Sequence, residues 1–158
     1  MAGPYHHAMN YELFMGEALA EGRLALERGE RPGAAVAVLD EAMVARAHDQ
    51  VRASGDPTAH AIVVALREAA RRLGSDRLAE VTIFSTVEPC AMCAGALLEC
   101  EVDELVFAVP DPERGAAGSV LQRPASGSAA RRPRVVSGIR QDEAEELFAL
   151  AARGAAAT

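Results

Sequence analysis

Pro89-Cys90-Ala91-Met92-Cys93, taken with Thr58-Ala59-His60-Ala61-Ile62 about thirty residues upstream, decides how this 158-residue chain is read. One imidazole and two thiols are the donor set of a tetrahedral zinc site with one position left open. Cys90 and Cys93 are three residues apart, so on a helix they share a face and can reach one ion. Pro89 marks the start of that helix, which runs to about Leu98. Thr58 reads as the N-cap of an earlier helix running to Leu73 and stopped by Gly74. Between them, Val81 to Ser85 is rich in β-forming residues and bounded by loops. The first helix covers about 22 Å and the strand returns about 16–20 Å. The two helix starts are therefore expected side by side, with His60 in one first turn and both cysteines in the other. A lone C-x-x-C is also a redox pair or half of a structural zinc site. A structural site needs a fourth ligand, and Cys100 lies two helical turns past Cys93.

Outward from this centre the pattern continues to alternate. Apolar spacing predicts a helix over Met9 to Glu27, and Ala34 to Leu39 with Ala42 to Ala47 predicts a β-hairpin. Ser54-Gly55-Asp56-Pro57 is a loop. Val102 to Val109 is a strand pattern, Arg134 to Val136 a last short strand, and Gln141 to Arg153 a last helix. Strands alternating with helices give an α/β layered sheet. One domain is expected over 1–158, with a mobile loop at 125–134.

Half of the residues are apolar and 25% charged, the balance of an ordinary globule rather than a disordered chain. Three cysteines are too few for a disulfide framework. The chain has no lysine, which excludes Schiff-base chemistry. The net charge of −7 and pI near 5.1 disfavour nucleic acid as a partner, because phosphate-gripping domains show a basic face. Arg123, Arg131, Arg132 and Arg134 form a local basic patch, offset by Asp142, Glu143, Glu145 and Glu146. No membrane span or signal peptide is readable, so the default expectation is cytoplasmic.

The zinc-deaminase signature reads H-x-E…P-C-x-x-C. The chain resembles the cytidine/deoxycytidylate deaminase superfamily, most closely its bacterial tRNA-adenosine deaminase and guanine deaminase branch. Asp56-Pro57-Thr58-Ala59-His60-Ala61 and Val87-Glu88-Pro89-Cys90-Ala91-Met92-Cys93-Ala94-Gly95-Ala96 carry the resemblance. A weaker block follows in Val106-Phe107, Asp111 and Gly115-Ala116-Ala117-Gly118. The match is collinear from about residue 10 to 150. It implies a three-layer α/β/α cytidine-deaminase-like fold with a five-stranded mixed sheet, a bound Zn2+ and a homodimer. The implied chemistry is hydrolytic deamination of a nucleobase, nucleoside or related amino-heterocycle. By position, the resemblance makes His60, Cys90 and Cys93 the metal ligands. It gives Ala61 backbone contacts to the base, places Pro32 and Gly33 on the pocket wall, and puts Asp111 near the sugar.

Three departures stand out. Ile62 occupies the place of the catalytic Glu, Asp49 that of an Asn that touches substrate, and Ala34 that of a glycine. In the family a zinc-activated water attacks the carbon bearing the amine while the Glu carries protons. Isoleucine has no ionisable atom, so ordinary deamination is expected to be impaired or silent. Glu88 is close in sequence, but active members carry a Glu there too, which gives it a structural role. Asp49 is the candidate substitute acid–base group, and its plainer reading is a solvated residue at a strand end. His48 should point to the opposite side.

Three readings stay open. The chain is a zinc-holding binding or scaffolding protein, like the silent subunit of the eukaryotic tRNA-adenosine deaminase. Or it is an active zinc enzyme on a small heterocycle, using Asp49 or a repurposed Lewis-acid reaction. Or it is a deliberately inactivated deaminase, for which Ala or Gln is the usual replacement. The acidic charge favours a small-molecule heterocycle. Purine and pyrimidine are not distinguished by four Phe, two Tyr and no Trp, though Phe148 could reach the pocket.

Overall fold

In the computed structural model, residues 9–121 and 132–156 are described. The elements are α1 (Tyr11–Glu27), β1 (Ala34–Leu39), β2 (Ala42–His48), α2 (Val51–Ser54) and α3 (Ala61–Leu73). There follow β3 (Thr82–Val87), α4 (Ala91–Glu99), β4 (Glu104–Val109), β5 (Arg134–Ser137) and α5 (Gln141–Ala156). The strands form one five-stranded sheet in the order β2-β1-β3-β4-β5. β1 pairs antiparallel with β2 and β3, while β3–β4 and β4–β5 are parallel. This is the mixed sheet of a cytidine-deaminase-like α/β fold.

Period-two alternation sorts the central strands onto two cores. Ala35, Ala37, Ile83, Leu105 and Phe107 pack on one side with α3 and α4 residues such as Leu66 and Leu97. Val36, Val38, Phe84, Val106 and Ala108 pack on the other with Phe14, Leu19 and Leu147 of α1 and α5. Strands buried on both faces read as near-continuous apolar runs, as β1 and β4 do, whereas β3 was legible from its β-forming residues between loops. The hairpin turn is a two-residue loop with Asp40 and Glu41 both at positive φ (50° and 61°), the geometry that matches strand twist. No helix among the described residues is long and apolar enough to cross a membrane.

Several expected boundaries shift for identifiable reasons. The cap of α3 is His60, two residues after the expected Thr58, because Thr58 turns back on Asp56, its N–H and hydroxyl both bonding Asp56 Oδ1. α2 was not anticipated, and only its last residue, Ser54, falls in the expected loop; four residues are too few to show a period. Of the expected 125–134 loop, residues 125–131 lie outside the described residues, as do Arg123 and Arg131 of the basic patch, and Arg134 already starts β5.

At the start of β4, the Tyr11 hydroxyl donates to Glu104 Oε2 at 2.7 Å. Burial, and then that carboxylate, push the Tyr11 pKa up to about 12. Between the free value and 12 the folded state holds a proton that the unfolded state has released, so stability falls as pH rises through that window. With no lysine to titrate there, and with the raised Cys93 and Cys100 thiols common to both proteins, alkaline urea unfolding should show a decline that is smaller in Tyr11→Phe than in the wild type.

Candidate metal centre and its cleft

The parallel β3–β4 arrangement and the β1–β3 pairing bring the starts of α3 and α4 to one end of the sheet. His60 is the N-cap of α3, in extended backbone (φ −72°, ψ 147°), and Cys90 is the N-cap of α4 (φ −73°, ψ 175°). Both were expected inside the first turn. One step outside the helix, each side chain leaves from an extended residue while Cys93, buried in the first turn, completes the set. His60 Nδ1 lies 3.5 Å from each of the Cys90 and Cys93 sulfurs, and the three donor atoms lie within 4.8 Å of one another.

This geometry fits zinc. Ligand distances of about 2.3 Å to sulfur and about 2.0–2.1 Å to nitrogen at a tetrahedral angle put N and S about 3.6 Å apart. Burial, then the neighbouring Cys90, raise the Cys93 thiol pKa far above its usual value. A thiolate there therefore calls for a cation. Cys100 caps the other end of α4 and takes no part.

The cleft over this centre opens to solvent and spans about 380 Å3, solvent included. Of the expected site residues, Gly33, Asp49, Ala61, Ile62 and Asp111 line it with the three metal donors. Pro32 does not; its carbonyl is taken by the Thr86 hydroxyl behind the wall. Phe148 stays outside, with the Arg31 guanidinium 5.2 Å from its ring centroid. Ile62, the second residue of α3, is 4% exposed and presents hydrocarbon to the cleft.

Three carboxylates also line the cleft, and two are committed elsewhere. Glu88 accepts from Asp111 N–H and Ala117 N–H, both at 3.1 Å, tying the β3–α4 and β4 loops together. A Cβ at Gly115 would overlap that carboxylate. Asp111 accepts from Glu113 and Arg114 N–H and faces Arg31 at 3.5 Å.

Asp49 is buried (7% exposed), contrary to the solvated strand-end reading. Its Oδ1 accepts the Ala61 N–H at 2.8 Å, and its carboxylate rests against the bare Cα of Gly33, where a Cβ would come within 2.7 Å. Burial raises its pKa, opposed by the Ala61 N–H. His48 does point away, its Nδ1 2.9 Å from Glu21 of α1. Arg31, Arg114 and Ser85 also line the cleft; none stands in a motif that sequence reasoning could have singled out.

The Cytidine and deoxycytidylate deaminase zinc-binding region model matches residues 9–109. The chain belongs to that family. It is 37% identical over 132 residues to the tRNA-specific adenosine deaminase of Bacillus subtilis, covering 84% of this chain and 82% of the relative. It is 42% identical over 148 residues to the tRNA(Ile)-lysidine synthase of Deinococcus radiodurans, covering 93% of this chain but only 24% of that protein. A solved structure from a study of A-to-I editing by tRNA:A34 deaminases at the wobble position superposes with TM-score 0.79. It is 38% identical, and the match covers 85% of this chain and 98% of that one.

These relatives overturn the expectation that nucleic acid is disfavoured. Net charge averages over the whole surface, whereas a nucleic acid contacts a patch, and Arg31 and Arg114 stand at this cleft.

The metal set makes its own prediction. Protein purified without chelators should carry about one zinc per chain by mass spectrometry of metals. Cys93→Ser should reduce this several-fold, and chelation should lower the melting temperature of the wild type but not of the variant.

Proposed function

We propose that the chain is a tRNA-directed member of its family that holds zinc and admits a nucleobase, but deaminates it poorly or not at all. The observation that carries this reading is Ile62, a buried hydrocarbon in the wall of the metal cleft where the family signature has its proton-carrying glutamate. Zinc, when bound, supplies Lewis-acid activation of water. The chain must supply proton transfer, and positioned acid–base groups contribute roughly 10²–10⁴-fold. Both Glu88 oxygens and Asp111 Oδ1 accept backbone N–H groups, and Asp111 Oδ2 faces Arg31, which favours structural roles. His60, Cys90 and Cys93 would be the ligands, while Gly33, Ala61 and Asp111 would frame the base and its sugar.

The tRNA assignment draws on the tRNA-specific relatives and on the likeness to a segment of a tRNA(Ile)-lysidine synthase. Such a segment accompanies another activity on tRNA, a context in which a binding module without turnover has a use. A tRNA partner also goes with cytoplasmic residence.

Asp49 favours one second reading. It is the cleft carboxylate with a single protein hydrogen bond, and burial moves its pKa upward from the ordinary carboxylate value, the direction an acid–base group needs.

Ammonia release should be measured from an adenosine-34 tRNA and from free bases and nucleosides, with the chain and with Ile62→Glu. The reading expects a gain of roughly 10²–10⁴-fold in the Glu variant. Substantial release by the unaltered chain, abolished by Asp49→Asn, would replace it with the second reading. Silence of both proteins on every substrate would overturn the reading of a substrate-admitting pocket silenced at Ile62 alone.

A further inference from the structure

Asp49 follows directly on β2 and lines the metal cleft with Gly33, Ala61 and Ile62. Its two oxygens have different surroundings. Oδ1 accepts the Ala61 N–H, the first of α3, at 2.8 Å. Oδ2 takes no protein hydrogen bond among the described residues. No side-chain oxygen or nitrogen among them is sealed off without a partner, so Oδ2 is reached from the cleft. A Cβ built on Gly33 would stand 2.7, 2.8 and 2.9 Å from Oδ2, Oδ1 and Cγ. Distances so nearly equal mean that the carboxylate lays its face, not its edge, on the glycine. The in-plane lone pairs of Oδ2 are therefore aimed past Gly33 and stay free to accept. No ion pair reaches Asp49 among the described residues, since Arg31 is turned to Asp111 at 3.5 Å and to the Phe148 ring.

The family resemblance puts an asparagine at this position. With its carbonyl on the Ala61 N–H, an amide turns its NH2 into the cleft and donates. A carboxylate in the same seat has no hydrogen to give. Both its oxygens accept, and the free one brings charge to a wall that Ile62 makes aliphatic. A ligand atom that offers a lone pair there is repelled and loses its own water, whereas an N–H there makes a charge-assisted hydrogen bond. Resting on the reading above that the cleft admits a nucleobase of a tRNA, we infer that Asp49 is a specificity-determining residue of inverted sense: it selects a base that turns an N–H or amino donor, not a ring-nitrogen acceptor, toward the end of β2. The ligand class is an amino-heterocycle with a second donor besides the amine at the metal. Unmodified adenine falls outside that class, because its remaining edges carry only ring-nitrogen acceptors.

The test is fluorescence anisotropy, at pH 8, of the zinc-loaded chain with labelled anticodon stem-loop RNAs that differ only in residue 34. The four residues are adenosine, 9-deazaadenosine (its N7 carries hydrogen), 2,6-diaminopurine riboside (an added amino group) and guanosine (a ring N–H beside its amine). Asp49→Asn is titrated in parallel. It keeps the acceptor for the Ala61 N–H, so the start of α3 is retained, and circular dichroism melting and zinc content check that it is. In the unaltered chain at least one donor-bearing RNA should bind about tenfold more tightly than the adenosine RNA. In Asp49→Asn that preference should vanish or reverse. An unaltered chain that binds adenosine as well as the others, or the same order of the four RNAs in both proteins, would overturn the specificity role while leaving the tRNA reading intact. A uniform loss across the four RNAs in Asp49→Asn would also overturn it, leaving Asp49 as a brace for α3. Absence of binding of every RNA by the unaltered chain would overturn the tRNA reading and this inference with it.

Discussion

His60, after a turn, and Cys90, after β3, are each an extended N-cap that opens a helix, and their donor atoms meet at 3.5 Å. That meeting requires α3 to run down one face of the sheet, β3 to return through its centre, and α4 to leave from the same end. The cores on both faces of β3, with Ile83 toward α3 and α4 and Phe84 toward α1 and α5, hold this path in register. Removing a turn from α3 or slipping β3 by one residue would separate the imidazole from the thiols and flip the strand's side chains between the cores.

Around the metal set, the cleft is held by hydrogen bonds from backbone N–H groups to carboxylates. Glu88 ties two loops, Asp111 organises its own turn, and Asp49 takes the first N–H of α3. The carboxylates therefore fix the frame, and the side chain that departs from the family's chemistry is Ile62. Its burial means that the departure costs no stability in itself, since an aliphatic residue suits a wall shared with the core. The loss of a proton carrier that we propose is therefore compatible with retention of the fold.

Much of this was legible in the sequence because strong periodicities and motif spacing encode it. Continuous apolar runs announced the central strands, and the H…C-x-x-C spacing announced the ligands. What was not legible depends on contacts between distant residues. The burial of Asp49 is created by Gly33 lacking a Cβ and by the Ala61 N–H, sixteen and twelve residues away in sequence. Arg31 belongs to no pattern; its position follows from the packing of α5 over the α1–β1 segment. The net charge misled about nucleic acid because it sums acidic faces of α1 and α5 that lie apart from the cleft.

His60, Cys90 and Cys93 would hold a zinc ion in the cleft that Ile62 also lines. Zinc-edge X-ray absorption of the purified chain tests it most directly. The account predicts two sulfur neighbours at about 2.3 Å, one imidazole nitrogen at about 2.0–2.1 Å, and one further light ligand. Three or four sulfur neighbours, or zinc bound without the Cys90 and Cys93 sulfurs, would contradict it.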